Sequence, residues 1–124
     1  MADGYAQLRT FFQDISGSVS MDSVTADVTP IAPKPLETIF IQRLSVDVTA
    51  ASASVGAQWV VSDTNATPLT APFLADAVGS TPRDFLAVGR ALKEGEGLKI
   101  TADLGAIGIV TWQGYRKLTG IGAT

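Results

Sequence analysis

The sequence predicts an all-β fold, a jelly-roll-like β-sandwich of about eight short strands with an N-terminal arm. Two observations lead there. Apolar and polar residues alternate with a period of two in several short runs, and turn-forming residues recur every 8–12 or so positions, the pattern of a sandwich or barrel. The chain of 124 residues also has the length of one domain and is long enough to bury a core without disulfide or metal staples.

Residues 1–14, MADGYAQLRTFFQD, place Tyr5, Leu8 and Phe12 at i, i+3 and i+7, the spacing of a short amphipathic helix, with Phe11 alongside. Aromatic side chains this dense near a terminus need something to hold them. Two fates fit: packing on the chain's own domain, or docking as an arm on a neighbour. Residues 15–29, ISGSVSMDSVTADVT, alternate loosely and suit one or two short strands. TPIAPKP follows, with prolines at 30, 33 and 35, and reads as an extended connection or sheet edge because proline lacks the ladder donor. The expected organisation is therefore 1–35 as N-terminal arm and connection, 36–118 as the sandwich body, and 119–124 as a flexible C-terminal end.

From Thr38 to Thr49 the even positions Phe40, Gln42, Leu44, Val46 and Val48 face the odd positions Arg43, Ser45, Asp47 and Thr49, which is a strand with one buried face. Ile39 and Ile41 break the pattern, so both faces of its start are expected to be covered. AASASVG is too small to fill a core layer and reads as a loop. AQWVVSD puts Ala57, Trp59 and Val61 on one face and ends in turn residues. APFLADAVGSTPRD is a looser passage, FLAVGRAL a strand and KEGEG a turn, its glycines accepting positive φ. LKITADL alternates cleanly, GAIG is a turn, and IVTWQGYRKL is the last strand. Shared parity places Phe40, Leu44, Val46, Trp59, Val61, Leu98 and Ile100 in the core.

The chemistry of the chain is sparse. There is no histidine and no cysteine, which removes the Ser-His and Cys-His nucleophile arrangements and the usual zinc and haem ligand sets. The three glutamates are Glu37, Glu94 and Glu96, and the last two sit on a glycine-rich turn where they are solvated rather than paired for glycoside hydrolysis. Asp22, Asp27 and Asp63 are the aspartates from which a calcium site would be assembled, but no D-x-D-x-D loop is present. Gly95 and Gly97 lack the third glycine of a dinucleotide loop. Asn65-Ala66-Thr67 matches the glycosylation triplet, but MADGYAQLRT has no basic region leading into an apolar core, so no secretory signal is expected. No catalytic residue, cofactor or metal is assigned.

Hydrophobic residues make up 46% of the chain and charged residues 17%, against about 25% in an average soluble domain, so part of the surface is expected to be covered by partners. The net charge of −3 lies wholly in residues 1–33, where Arg9 stands against Asp3, Asp14, Asp22 and Asp27. No basic footprint for nucleic acid and no apolar run of membrane-spanning length occurs. Trp112 and Tyr115 have opposite strand parity, so both cannot face the core. One of them meets solvent, a ligand or a neighbour, whereas Trp59 sits on the apolar parity of its strand. Low charge and the leftover aromatic predict a homo-oligomer, a dimer or a trimer. The expected partner-binding residues are Tyr5, Leu8, Phe11, Phe12, Trp112 and Tyr115.

The order TIFIQRLSVDVTAAS, then AQWVVSDTNATPLT, then ALKEGEGLKITADLGAIGIVTWQGYRKL, ending in the aromatic strand V-x-W-x-G-Y-R, resembles the small jelly-roll proteins of tailed-phage particles, including capsid decoration (cement) proteins. The resemblance covers residues 36–118. It implies a non-enzymatic structural protein that binds the outside of a head shell, clamps the major capsid protein or other virion proteins through loops and terminal arms, and is made in the host cytoplasm. The alternative is a carbohydrate- or receptor-binding β-sandwich module of a tail or larger assembly. An exposed Trp or Tyr platform on one sheet face would mark that alternative.

Overall fold

The computed structural model describes residues 13–24 and 27–120, and every regular element among them is a β-strand. In chain order these are β1 (Gln13–Asp14), β2 (Gly17–Met21), β3 (Asp27–Ile31), β4 (Glu37–Ala50), β5 (Gln58–Asp63), β6 (Phe73–Leu74), β7 (Gly79–Asp84), β8 (Arg90–Ala91), β9 (Leu98–Ala102) and β10 (Ile107–Leu118). All pairings are antiparallel. In the first sheet β1 and β2 share one edge of β10, β4 pairs the other, and β7 and β8 share the far edge of β4. The second sheet runs β3–β9–β5–β6. With each shared edge counted as one ribbon, two four-ribbon sheets are connected by a chain that passes between them repeatedly. This is the eight-strand jelly roll, so the fold class expected from the sequence is the fold formed.

The core lies between the sheets. Leu44, Val46, Trp59, Val61, Leu98 and Ile100 are all buried there, together with Met21, Ile39, Ile41, Phe73 and Val110. Phe40 is not among them. The ladder between β4 and β10 slips between Gln113 and Gly114, leaving Gln42 without a partner on β10, and that bulge reverses side-chain parity. Ile39 and Ile41 therefore point inward, and Phe40 lies half-buried on the outer face.

Both slips of this ladder fall at glycines. At Gly108 a Cβ would stand 2.0 Å from the Asp47 carbonyl oxygen and 2.9 Å from the Trp59 ring of the opposite sheet. At Gly114 it would stand 2.2 Å from the Phe40 carbonyl oxygen. Only glycine lets β10 lie this close to its neighbours.

Residues 13–31 are part of the sandwich: β1 and β2 extend the first sheet, and β3 extends the second. Their alternation was weak because they are edge strands with only one packed side. The expected helix over 1–14 lies outside the described residues as far as Phe12, with Tyr5, Leu8 and Phe11, and Gln13–Asp14 at its end form β1. FLAVGRAL is mostly a loop, because Leu86 and Gly89 take φ of 68° and 84°. The strand comes just before it, in the polar stretch Gly79–Asp84, where an exposed edge position tolerates Pro82. The C-terminal end is tied at its start, where the amides of Thr119 and Gly120 donate to the Leu36 carbonyl at 2.8 and 2.9 Å. Residues 121–124 lie outside the described part.

Gly108→Ala is expected to lower the unfolding free energy by about 1–3 kcal/mol, the cost of overpacking. Leu44→Ala should cost about 2–5 kcal/mol by leaving a cavity. Denaturant titration measures both. A Gly108→Ala protein as stable as the parent would show that β10 does not lie this close to Asp47 and Trp59.

Candidate interaction surface

The jelly roll gathers its loops at two ends, and the two ends differ in chemistry. One end is built from residues 22–24, 51–57, 75–78 and 103–106, which follow β2, β4, β6 and β9. Each loop carries one outward aliphatic side chain: Val24, Val55, Val78 and Leu104, between 54% and 97% exposed. Ile107 and Ile109, at the start of β10, add apolar surface on the adjoining outer face. These loops hold Asp22, Asp76 and Asp103 and no lysine or arginine.

Hydrogen bonds fasten the four loops to one another and to the strands. The Ser52 amide donates to the Ala75 carbonyl at 2.8 Å, and the Ser52 hydroxyl to the Leu104 carbonyl at 3.1 Å. The Gly105 amide donates to the Ser23 carbonyl at 3.1 Å. Asp76 accepts from the Gly56 amide and Asp103 from the Gln58 amide, both at 2.8 Å. Asp22 accepts from the Val24 amide at 3.0 Å. The aspartates thus serve as local caps, while the aliphatic tips are left outside on a pre-organised frame.

The opposite end carries the charge. Lys34, Arg90, Lys93, Arg116 and Lys117 lie there with Glu37, Glu94 and Glu96. Lys34 pairs with Glu37 at 3.0 Å. Asp63 is buried at this end, and one of its carboxylate oxygens accepts the amides of Asn65 and Thr67 at 2.8 and 3.0 Å. Asp63 pairs with Leu98 at one end of β9, whereas Asp27 pairs with Thr101 toward the other, so Asp22, Asp27 and Asp63 do not come together as calcium ligands. Among the described residues no three acidic side chains cluster in a way that could hold a metal ion. Asp14, on the exposed β1, is kept below the usual carboxylate range by the hydroxyl and amide of Ser16.

The two expected site aromatics of the last strand are both held by the fold. Trp112 is the inward one: it is 6% exposed, and its indole N–H donates to the Ile15 carbonyl. Its parity turns it into the core beneath β1 and β2, so in this chain it does not stand at the surface as a partner residue was expected to. Tyr115 is the outward one, but it is half-buried. Its ring stacks on Phe40 at 5.0 Å between centroids, and its hydroxyl donates to the Val88 carbonyl at 2.7 Å. Together with Gln42, which donates to the Ala87 carbonyl, it straps the 85–89 loop to the sheet. Trp59 is fully buried. Among the described residues no tryptophan or tyrosine forms an exposed platform. A shallow depression of about 490 Å³ on the outer face of the first sheet is lined by Arg43, Ser45, Pro82, Asp84 and Thr111. Arg83 also lines it, and Arg43 and Asp84 pair with each other at 3.5 Å.

The aliphatic tips were missed in the sequence because each is one isolated residue in a small-residue loop. Only the topology brings the four together.

The class defined by fold and surface is an eight-strand jelly roll with an apolar, acidic loop end. No protein-family model and no curated protein matches the sequence. Two solved structures are similar to it. One is the cyanophage Pam1 capsid asymmetric unit, at 15% identity over 86% of this chain and 84% of that one, with a TM-score of 0.47. The other is a pentameric capsid protein isolated from metagenomic phage sequences, at 18% identity over 96% of this chain and 71% of that one, with a TM-score of 0.43. At these scores the likeness carries no argument about what this chain binds.

Tyr115→Phe is expected to cost about 1 kcal/mol of stability, the net worth of one hydrogen bond. It should also speed amide exchange across residues 86–89. Unchanged exchange there would show that the tyrosine does not hold the loop.

Proposed function

We propose that the protein is a non-enzymatic structural component of a phage particle, a capsid decoration protein that binds and stabilises the head shell by protein–protein contacts. The observation that carries this reading is the loop end. Four aliphatic side chains from four separate loops stand exposed on a hydrogen-bonded frame. Soluble proteins seldom leave such a patch uncovered unless it binds something. Ordered loops lose little entropy on docking, so most of the apolar burial is realised as affinity. The three aspartates and the lack of basic residues call for a partner surface whose apolar sockets are rimmed by lysine or arginine.

In this reading the partner is the major capsid protein on the outer face of the shell. The resemblance of residues 36–118 to phage jelly-roll proteins points the same way. Residues 1–12, with Tyr5, Leu8, Phe11 and Phe12, would add a second, arm-like contact. Aromatic side chains dominate interface hot spots. The carbohydrate-binding alternative is left without a supporting observation, since Trp59 and Trp112 are buried and Tyr115 is stacked.

The test is co-sedimentation with empty heads of the parent phage. Val55→Asp with Val78→Asp is expected to abolish binding while the melting temperature stays near that of the parent, because both side chains are exposed. Binding by the parent should weaken with salt as charge attraction is screened. If the double variant binds heads as well as the parent does, the loop end is not the docking surface.

A further inference from the structure

The jelly roll has four sheet edges, and three of them carry features that stop another strand from joining. The edge made by β7 and β8 contains Pro82, Arg83 and Asp84, then Arg90. The edge of the second sheet at β3 contains Asp27 and Pro30. The edge at β6 is only two residues long. Proline, charge and shortness are the usual protections of an edge strand. On the fourth edge β1 carries Asp14, but the longer strand beside it is different. β2, Gly17-Ser18-Val19-Ser20-Met21, has no proline and no charge, and among the described residues it pairs only with β10. Its outer side leaves alternate N–H and C=O groups unpaired by any described strand.

The edge is also unfinished on its inner side. Val19 and nearby Ile15 are only partly buried against the core, whereas Met21, at the end of the same strand, is fully buried. A strand laid along β2 would cover that seam as well as satisfy the backbone.

We propose that a second copy of this chain occupies this edge, through antiparallel pairing of β2 with β2 about a two-fold axis at Val19. The sequence around that residue is nearly symmetric. In this register Ser18 faces Ser20 of the second copy on the exposed side, Val19 faces its counterpart on the core side, and Gly17 faces Met21. Within Gly17–Met21 no charge meets a like charge and no bulky pair collides, as an isologous interface requires. The first sheet then runs continuously through both copies, while Asp27 and Pro30 keep the β3 edges from joining. A five-residue pairing is small, so the dimer belongs to the transient class of interfaces, below about 1,200 Å². The proposal does not depend on shell docking, which uses other side chains.

The chain contains no cysteine, so engineered thiols report on register without background. Directly opposed residues of an antiparallel pair have Cα atoms about 4.5–5.5 Å apart, within disulfide reach, whereas the diagonal neighbours stand at about 7–8 Å. Full-length chains carrying Ser18→Cys are mixed with chains carrying Ser20→Cys under mild oxidation. Cross-linked dimer is expected in the mixture and not with either variant alone. Sedimentation equilibrium of the parent should show a concentration-dependent monomer–dimer equilibrium. Ser18→Lys with Ser20→Lys, which sets lysine against lysine twice, should weaken association about tenfold or more. Ser80→Lys, on the β7 edge, should leave it unchanged. Melting temperatures confirm that each variant is folded. A parent that stays monomeric, equal cross-linking in all three samples, or a lysine pair without effect would overturn the proposal. So would association that begins only on deletion of residues 2–12, which would assign the edge to the chain's own N-terminal segment.

Discussion

The pairing of β4 with β10 is the constraint on which the rest of the molecule depends. Twelve residue pairs, from Glu37 with Leu118 to Ala50 with Ile107, align the two longest strands. Every other ribbon of the first sheet hangs on one of these two strands. The second sheet packs against them through Trp59, whose ring lies over Gly108. The partners are separated by 57 to 81 residues in the chain, so none of this register can form locally. Loop-closure entropy must be met before the ladder stabilises anything, and folding is expected to be slow for a domain of this size. The two glycine slips show how tightly the ladder is determined. Each moves the strand by one residue at a point where no side chain would fit, and the second reverses parity so that Ile39 and Ile41 turn inward.

That reversal explains most of what the sequence did and did not disclose. β9 keeps strict alternation, so its buried face could be read directly, whereas β10 begins at Ile107 inside the expected turn GAIG and its exposed Ile107 and Ile109 hide which face is buried. β4 could be read from Leu44 to Val48, but the bulge at Gln42 moved Phe40 to the outer face, and its mark, the break in the pattern at Ile39 and Ile41, reads equally well as a start covered on both faces. The polar strand β7 was passed over for the apolar FLAVGRAL because an exposed edge strand needs no hydrophobic face. The loop after it buries only Phe85 in part and leaves Leu86 and Val88 in solvent. The surroundings of the two aromatics of the last strand were hidden for a related reason. Parity correctly set Trp112 and Tyr115 on opposite faces, but it could not reveal that Phe40 and Val88 hold the outward one.

Charge is sorted along the long axis of the sandwich. The net −3 of residues 1–33 looked in the sequence like a property of an arm. In the fold, Asp22 joins Asp76 and Asp103 at one loop end, and Lys34, Arg90, Lys93, Arg116 and Lys117 lie at the other with Glu37, Glu94 and Glu96. The balanced charge of residues 34–124 therefore conceals a polarity. Antiparallel strands produce it simply, because each hairpin returns to the same end and even a weak bias in loop composition accumulates over four loops. Such a molecule meets a charged surface in one orientation before any short-range contact forms.

The same topology separates the places where the chain can associate. Face-to-face stacking of outer sheet surfaces is disfavoured, since the first sheet presents the strapped 85–89 loop and the Arg43–Asp84 pair there. Edge-to-edge growth is limited by Pro82, Arg83 and Asp84 on one side and by Pro30 and Asp27 on another. Among the described residues the apolar loop end and β2 lack these protections, and the two proposed contacts use different side chains. A contact at one leaves the other accessible, so a copy held by its loops could still meet a neighbour along β2. Each contact can then be weak alone, because holding one end in place raises the effective concentration of the other.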